Sequence, residues 1–159
     1  MPNVNDVVKR FENGGILEIV DGATTHTVLN INPGSLSITP PKKAPIEFMD
    51  RGVPQTPIVG DDSYARLAFS AKLGKLLADS LLSLSRAEAA ASNNPKTFTV
   101  RVKFPAYRGA PNSTAGNEQI TMSNAYFITA PRLAATSAID EYQSIEIGCV
   151  AADFAVASY

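Results

Sequence analysis

The chain has no tryptophan, one histidine and one cysteine in 159 residues. A structural or catalytic zinc site needs clustered Cys and His ligands, and His26 and Cys149 cannot supply them. A single cysteine cannot close an internal bridge. Cys149 sits in an apolar run and reads as a small buried hydrophobe in a reducing compartment. A basic excess is also missing: Lys and Arg total 14 against 15 Asp and Glu, and no basic run exceeds the pair Lys42-Lys43. A protein that grips nucleic acid needs a basic face to neutralise phosphates, so this balance argues against one. A neutral or acidic channel through which DNA only passes remains compatible with it. No stretch approaches the roughly 20 apolar residues of a membrane-spanning helix. Residues Met1 to Gly14 are polar and charged, without the apolar centre of a signal peptide. The expectation is a soluble protein made in a cytoplasm, with no membrane partner.

Convergent reactive groups are equally scarce. No P-loop, dinucleotide fingerprint, EF-hand loop or nucleophile elbow occurs. His26 lies in a Thr-rich segment and reads as an exposed strand residue. Asp61 and Asp62 are adjacent, and adjacent strand residues point to opposite faces, so their carboxylates do not converge. They read as a turn residue and a strand-entry residue. Tyr107 and Arg108 precede a polar loop and suit loop packing or an interface better than base stacking, given no basic surroundings. The expectation is no catalytic residue, no cofactor and no metal. Charged residues make up 18% of the chain, below the usual roughly 25%, which weakly favours a subunit that buries surface against neighbours.

What is present is mostly β patterning over about one domain's length, residues 1–159. An N-terminal arm, 1–13, carries at most a short helical turn over Val4 to Asn13, ended by Asn13-Gly14-Gly15. Ile16 to Val20 reads as a strand, Asp21-Gly22 as a hairpin turn, Thr25 to Ile31 as the return strand and Ser35 to Thr39 as a short third. From Ala65 strict alternation sets in, with Leu67, Phe69, Ala71 and Leu73 on one side. Leu73, Leu76, Leu77, Leu81 and Leu84 then recur at spacings of three and four and predict one amphipathic helix, about Lys75 to Ala90, stopped by Asn93-Asn94-Pro95. Phe98, Val100, Val102 and Phe104 alternate again. A polar loop spans Ala106 to Asn117. Glu118 to Thr129 is a long strand with Ile120, Met122, Tyr126 and Ile128 as its apolar set. Ile145 to Ala157 is a last strand with a bulge near Asp153-Phe154, where the apolar phase switches. Seven or eight strands and one helix predict a mainly β fold, a β-sandwich or partial barrel with a flanking helix.

The segment 40–60 holds five of the eleven prolines, Pro40, Pro41, Pro45, Pro54 and Pro57. Proline cannot donate to a ladder, so this is loop or sheet edge, with Ile46 to Met49 a candidate edge strand and Asp50-Arg51-Gly52 a turn. Its apolar content does not suit a solvated loop. Such a loop is either packed on its own domain or held for a partner, and in the second case Ile46, Phe48, Met49, Ile58 and Val59, with Arg51 at the rim, are the candidate subunit-interface residues.

Two stretches carry a resemblance. Asn13 to Gly22 (NGGILEIVDG) is similar to the opening hairpin of bacteriophage tail-tube proteins, the major tail or Hcp-like tube fold. Phe48-Met49-Asp50-Arg51-Gly52, then Gly60-Asp61-Asp62 and the strand from Ala65 to Leu73, resembles their middle, where a strand is followed by one helix and more strands. The resemblance implies a virion structural protein and homo-oligomer. In that family hexameric rings stack into a hollow tube for DNA ejection, their strands joining in one inner barrel, alongside other tail proteins. The loop Pro105 to Asn117 and the segment Pro131 to Asp140 do not fit that pattern. They leave open a tail-terminator, neck or head-decoration relative. A host-surface-binding β-sandwich and an enzyme with an unrecognised site are the remaining alternatives.

Overall fold

A computed structural model describes residues 15–86, 94–104, 118–131 and 141–157. The expected N-terminal arm, the helix beyond Arg86, the polar loop with Tyr107 and Arg108, and most of 131–140 lie outside the described residues. The strands are β1 Ile16–Asp21, β2 Thr24–Val28, β3 Ser37–Thr39, β4 Lys43–Ile46, β5 Met49–Asp50, β6 Val53–Pro54, β7 Ile58–Asp62, β8 Ala65–Ala71, β9 Phe98–Phe104, β10 Glu118–Thr129, β11 Gln143–Cys149 and β12 Phe154–Ala157. The helix α1 is Lys75–Arg86.

Eight strands form one antiparallel sheet in the order β2-β1-β9-β10-β11-β8-β3, with β12 also on β10. β10 joins its two halves. The amino-terminal part of β10 pairs β9 on one side and β12 on the other; its carboxyl-terminal part pairs β11. Where the halves meet, Asn124 takes a positive φ of 47° and the pairing with β9 jumps from Met122 to Ala125. Such a bulge bends and twists a strand. Both halves bury their inner faces in a single cluster, with Leu17, Ile19, Val100 and Val102 from one and Leu67, Phe69, Ile145 and Ile147 from the other. Ala78, Leu81 and Leu84 of α1 complete it. The mainly β expectation holds, as one continuous sheet sharing one core rather than two separate sheets.

Alternation explains the clearest strands. β8 reads buried and half-buried residues in strict turn, as expected for a strand with one apolar face. Four expectations are corrected. In α1, Leu76 is 85% exposed. At about 100° per residue, Leu77, Leu81 and Leu84 fall within roughly 60° of one another, while Leu76 lies about 100° before Leu77. In β10, the bulge moves Ala125 and Phe127 to the core side and puts Tyr126 and Ile128 outside. The last strand is two strands: β11 ends at Cys149, a 3-10 turn Ala151–Asp153 intervenes, and β12 pairs a different part of β10. β2 stops at Val28, leaving Ile31 in an isolated bridge with Ala71.

Candidate assembly arm

The proline-rich segment is neither plain loop nor part of the main sheet. β4 pairs β7, with Ile46 opposite Ile58 and Pro45 opposite Val59, and further out β5 pairs β6, with Met49 opposite Pro54. The two ladders make a ribbon whose strands, among the described residues, pair only with each other. The prolines are tolerated because such a ribbon has two free edges.

Local geometry makes this arm. At the root, the Ser63 amide donates to the Lys42 carbonyl at 2.9 Å, and the Lys42 amide donates to Ser63 Oγ at 3.0 Å. Gly60 lies so close to the partner strand that a Cβ there would collide with the Ala44 carbonyl oxygen. At the tip, Arg51 and Gly52 both have positive φ, 50° and 77°, between the paired Asp50 and Val53. Positive φ at both central residues is the type I′ geometry whose twist suits a hairpin. The Gln55 amide donates to the Phe48 carbonyl at 3.1 Å and ties the break between β4 and β5. A shallow hollow of about 520 Å³, lined by Glu47, Phe48, Met49, Pro54, Gln55 and Pro57, opens here.

The arm gathers all six expected interface residues on one ribbon and leaves its apolar side chains in water. Ile46 is 50% exposed, Phe48 45%, Met49 71%, Ile58 55% and Val59 72%, and every residue of β4, β5 and β6 is exposed. Opposed residues share a face and alternate ones switch it, so the Ile46–Ile58 pair and the Pro45–Val59 pair stand on opposite faces. Sequence reasoning missed Val53, 59% exposed at the tip. It also missed the exposure of Leu29, Leu76 and Tyr142. Their signal was present as apolar residues out of phase with the buried set.

Elsewhere among the described residues several surface charges are paired. Glu18 of β1 lies 4.0 Å from Arg101 and 3.8 Å from Lys103 across the ladder, and Lys96 bonds Asp21 at 2.9 Å. Arg66 reaches Glu146 at 4.0 Å and lies over the Tyr64 ring. His26 is half-buried, not exposed as expected. It stands opposite Ile19 on the core side of edge strand β2. Asp61 and Asp62 both lie within β7 and are exposed, in place of the expected turn and entry positions. Burial pushes the Cys149 thiol up from its ordinary value, Asp153 adds to this and Arg66 offsets it. Among the described residues no group of three His, Cys, Asp or Glu could hold a metal ion, and no helix is long and apolar enough to cross a membrane.

No known family profile matches the chain. No curated protein matches it significantly. Two solved structures share its fold. One is the sheath/tube terminator of an extracellular contractile injection system, PVC, in its extended state, at 14% identity, with 90% of this chain and 92% of that one covered and a TM-score of 0.53. The other is the tube-terminating cap of the anti-feeding prophage, at 16% identity, with 90% and 88% covered and a TM-score of 0.51.

Proposed function

We propose that the chain is a non-enzymatic, self-assembling subunit that terminates the tube of a phage-like tail or contractile injection particle. The observation that carries this reading is the shared fold over nine-tenths of the chain with two proteins that are themselves tube terminators. The exposed apolar arm supports the assembly part, since a monomer has no use for one. Terminators fit better than the tube subunit that the sequence resemblance implies, because both neighbours cap tubes.

In this reading copies close into a ring, and Ile46, Phe48, Met49, Arg51, Ile58 and Val59 bury surface between subunits. Glu18 offsets part of the charge of Arg101 and Lys103 on the outer face of β1 and β9, which weakens the hold of such a wall on a passing polyanion. The test is electron microscopy of the purified protein across a range of concentration. Finite rings of one size are the expected result. Open filaments would move the protein to the tube itself, and a strict monomer at all concentrations would sink the assembly reading.

A further inference from the structure

The arm is the far part of one long hairpin whose near part is β3 and β8. Those two strands are paired neighbours, with Thr39 opposite Arg66. The chain leaves β3 through Pro40-Pro41-Lys42, runs out along β4, returns along β7 and enters β8 through Ser63-Tyr64. Three residues on one side of this joint face two on the other, and such a mismatch interrupts a ladder and bends it. Pro40 and Pro41 have no amide hydrogen to give. The joint is held by the Ser63 amide bond to the Lys42 carbonyl and by the Lys42 amide bond to Ser63 Oγ. A kinked joint carrying two hydrogen bonds, with a ribbon beyond it that pairs only with itself among the described residues, has the makings of a hinge.

One side chain at the joint reaches back onto the body. The Arg66 guanidinium carbon lies 5.2 Å from the centroid of the Tyr64 ring, inside the range of a cation–π contact. The guanidinium is itself seated. Arg66 stands in a cross-strand row with Gly148 of β11 and then Tyr126 of β10. A Cβ on Gly148 would collide with Arg66 Nη1 and crowd Ile128 and the Tyr126 ring, so the glycine leaves the space in which the guanidinium lies. From that seat Nη1 donates to the Ala65 carbonyl at 3.3 Å and reaches the Tyr126 hydroxyl at 3.5 Å, while Nε lies 4.0 Å from a Glu146 carboxylate oxygen.

We infer that Tyr64, laid on the Arg66 guanidinium over Gly148, is a latch that sets the angle at which the arm leaves the sheet. The latch belongs to the joint and does not depend on what the arm meets. Tyr64 follows Ser63 directly, so fixing its ring on the body restrains one of the two strands on which the arm swings. The ring is 54% exposed, and a solvated contact of this kind favours one arrangement over its alternatives by roughly two- to fivefold. That ratio prefers one angle without locking it. A neighbour that covers the arm at another angle needs only that much differential affinity to release it.

The experiment measures the angle. Nitroxide labels are placed on the full chain at Val53→Cys, 59% exposed at the tip, and at Thr25→Cys, exposed on β2, while the fully buried Cys149 stays unlabelled. Pulsed electron paramagnetic resonance then gives the distance distribution, and a urea melt runs beside it. The labelled parent is expected to show one dominant peak. Tyr64→Ala and Gly148→Ala are each expected to raise the ratio of off-peak to on-peak population by roughly two- to fivefold, with almost unchanged melts. Gly148→Ala acts by pushing aside the far end of the flexible Arg66 side chain. Should it fail to fold, Arg66→Gln replaces it and removes the charge under the Tyr64 ring. Tyr142→Ala deletes the Lys72–Tyr142 contact at the other end of β8 and is expected to leave the distribution as it was. A parent without a dominant peak overturns the inference, as does an unchanged distribution in Tyr64→Ala. A Tyr142→Ala distribution as broad as that of Tyr64→Ala overturns it as well, because the arm's angle would then follow general loosening rather than this contact.

Discussion

Replacing Phe48 by alanine separates assembly from folding. Phe48 is 45% exposed. A phenylalanine presents about 200 Å², so about 90 Å² remains for a neighbour to cover. At roughly 25 cal/mol per Å² this is about 2 kcal/mol, or about thirtyfold in affinity per contact. In a closed ring each subunit makes one such contact, so the loss compounds around it. Phe48 lines the arm's own hollow with Pro54 and Pro57 and is not in the buried core cluster. The urea midpoint of the small species should therefore shift by less than about 1 kcal/mol equivalent, within the range of surface substitutions.

The assay is sedimentation velocity over a dilution series, beside a urea melt at a concentration where both proteins are small. The expected outcome is an assembly midpoint raised about thirtyfold with an almost unchanged melt. A melt weakened by several kcal/mol would place Phe48 in the subunit core. An unchanged assembly midpoint would mean that the arm is not the contact, and the reasoning from its exposed apolar faces would fail.

Along α1 two leucines should behave oppositely: Leu81→Ala, at a site with no exposure, should cost about 2–5 kcal/mol in a chemical melt, while Leu76→Ala should stay within about 0.5 kcal/mol. Cys149 is fully buried with its thiol pushed up, so it should react with a thiol reagent at mildly alkaline pH only as fast as the protein opens. The unfolded chain loses that proton first, so the contribution of Cys149 to stability is whole below the ordinary thiol range. It falls as pH rises toward the raised folded value. A fast stoichiometric reaction in native buffer would refute its burial.

Much of the fold was legible because single-residue alternation survives wherever one face is buried. β10 spans Glu118–Thr129 as its pattern predicts, and β8 and β9 bury the residues their alternation selects. The failures share a cause: local backbone choices that shift phase. Asn124 in the left-handed region inserts a bulge that no apolar periodicity announces, and every side chain beyond it changes face. The break after Cys149 lets the chain move from one part of β10 to another, which reads in sequence as a phase slip only. The arm was half legible. Its apolar residues and the Arg51-Gly52 turn stood out, but pairing of Pro45 with Val59 depends on an edge that only tertiary placement leaves free. Leu76 and Leu29 stand out of phase with the buried set, but an aliphatic residue at a helix start or strand end is readily taken for core.

The free sheet edges set how much work the arm must do. β1 runs antiparallel to β2 and β9, β10 is antiparallel to β9, and β12 is antiparallel to β10. Among the described residues the edge strands are β2, β3 and β12, and β2 and β12 therefore point the same way. In a ring, where every copy has one orientation to the axis, joining β12 of one copy to β2 of the next makes a parallel junction. Parallel pairing is slightly weaker per residue, and these strands have only four and five residues. At a net contribution of about 1 kcal/mol per hydrogen bond such a junction adds a few kcal/mol at most. The arm's apolar surface, on the order of 600 Å² at about 25 cal/mol per Å², offers an upper bound near 15 kcal/mol. Blocking the edges should thus weaken assembly less than damaging the arm. Thr25→Lys with Val156→Lys sets two like charges on the exposed edge strands, a change that discourages edge pairing. Its assembly midpoint should rise by less than that of Met49→Asp. If the edge variant abolishes assembly while Met49→Asp leaves it intact, the subunits are held by their sheets and the arm faces another protein.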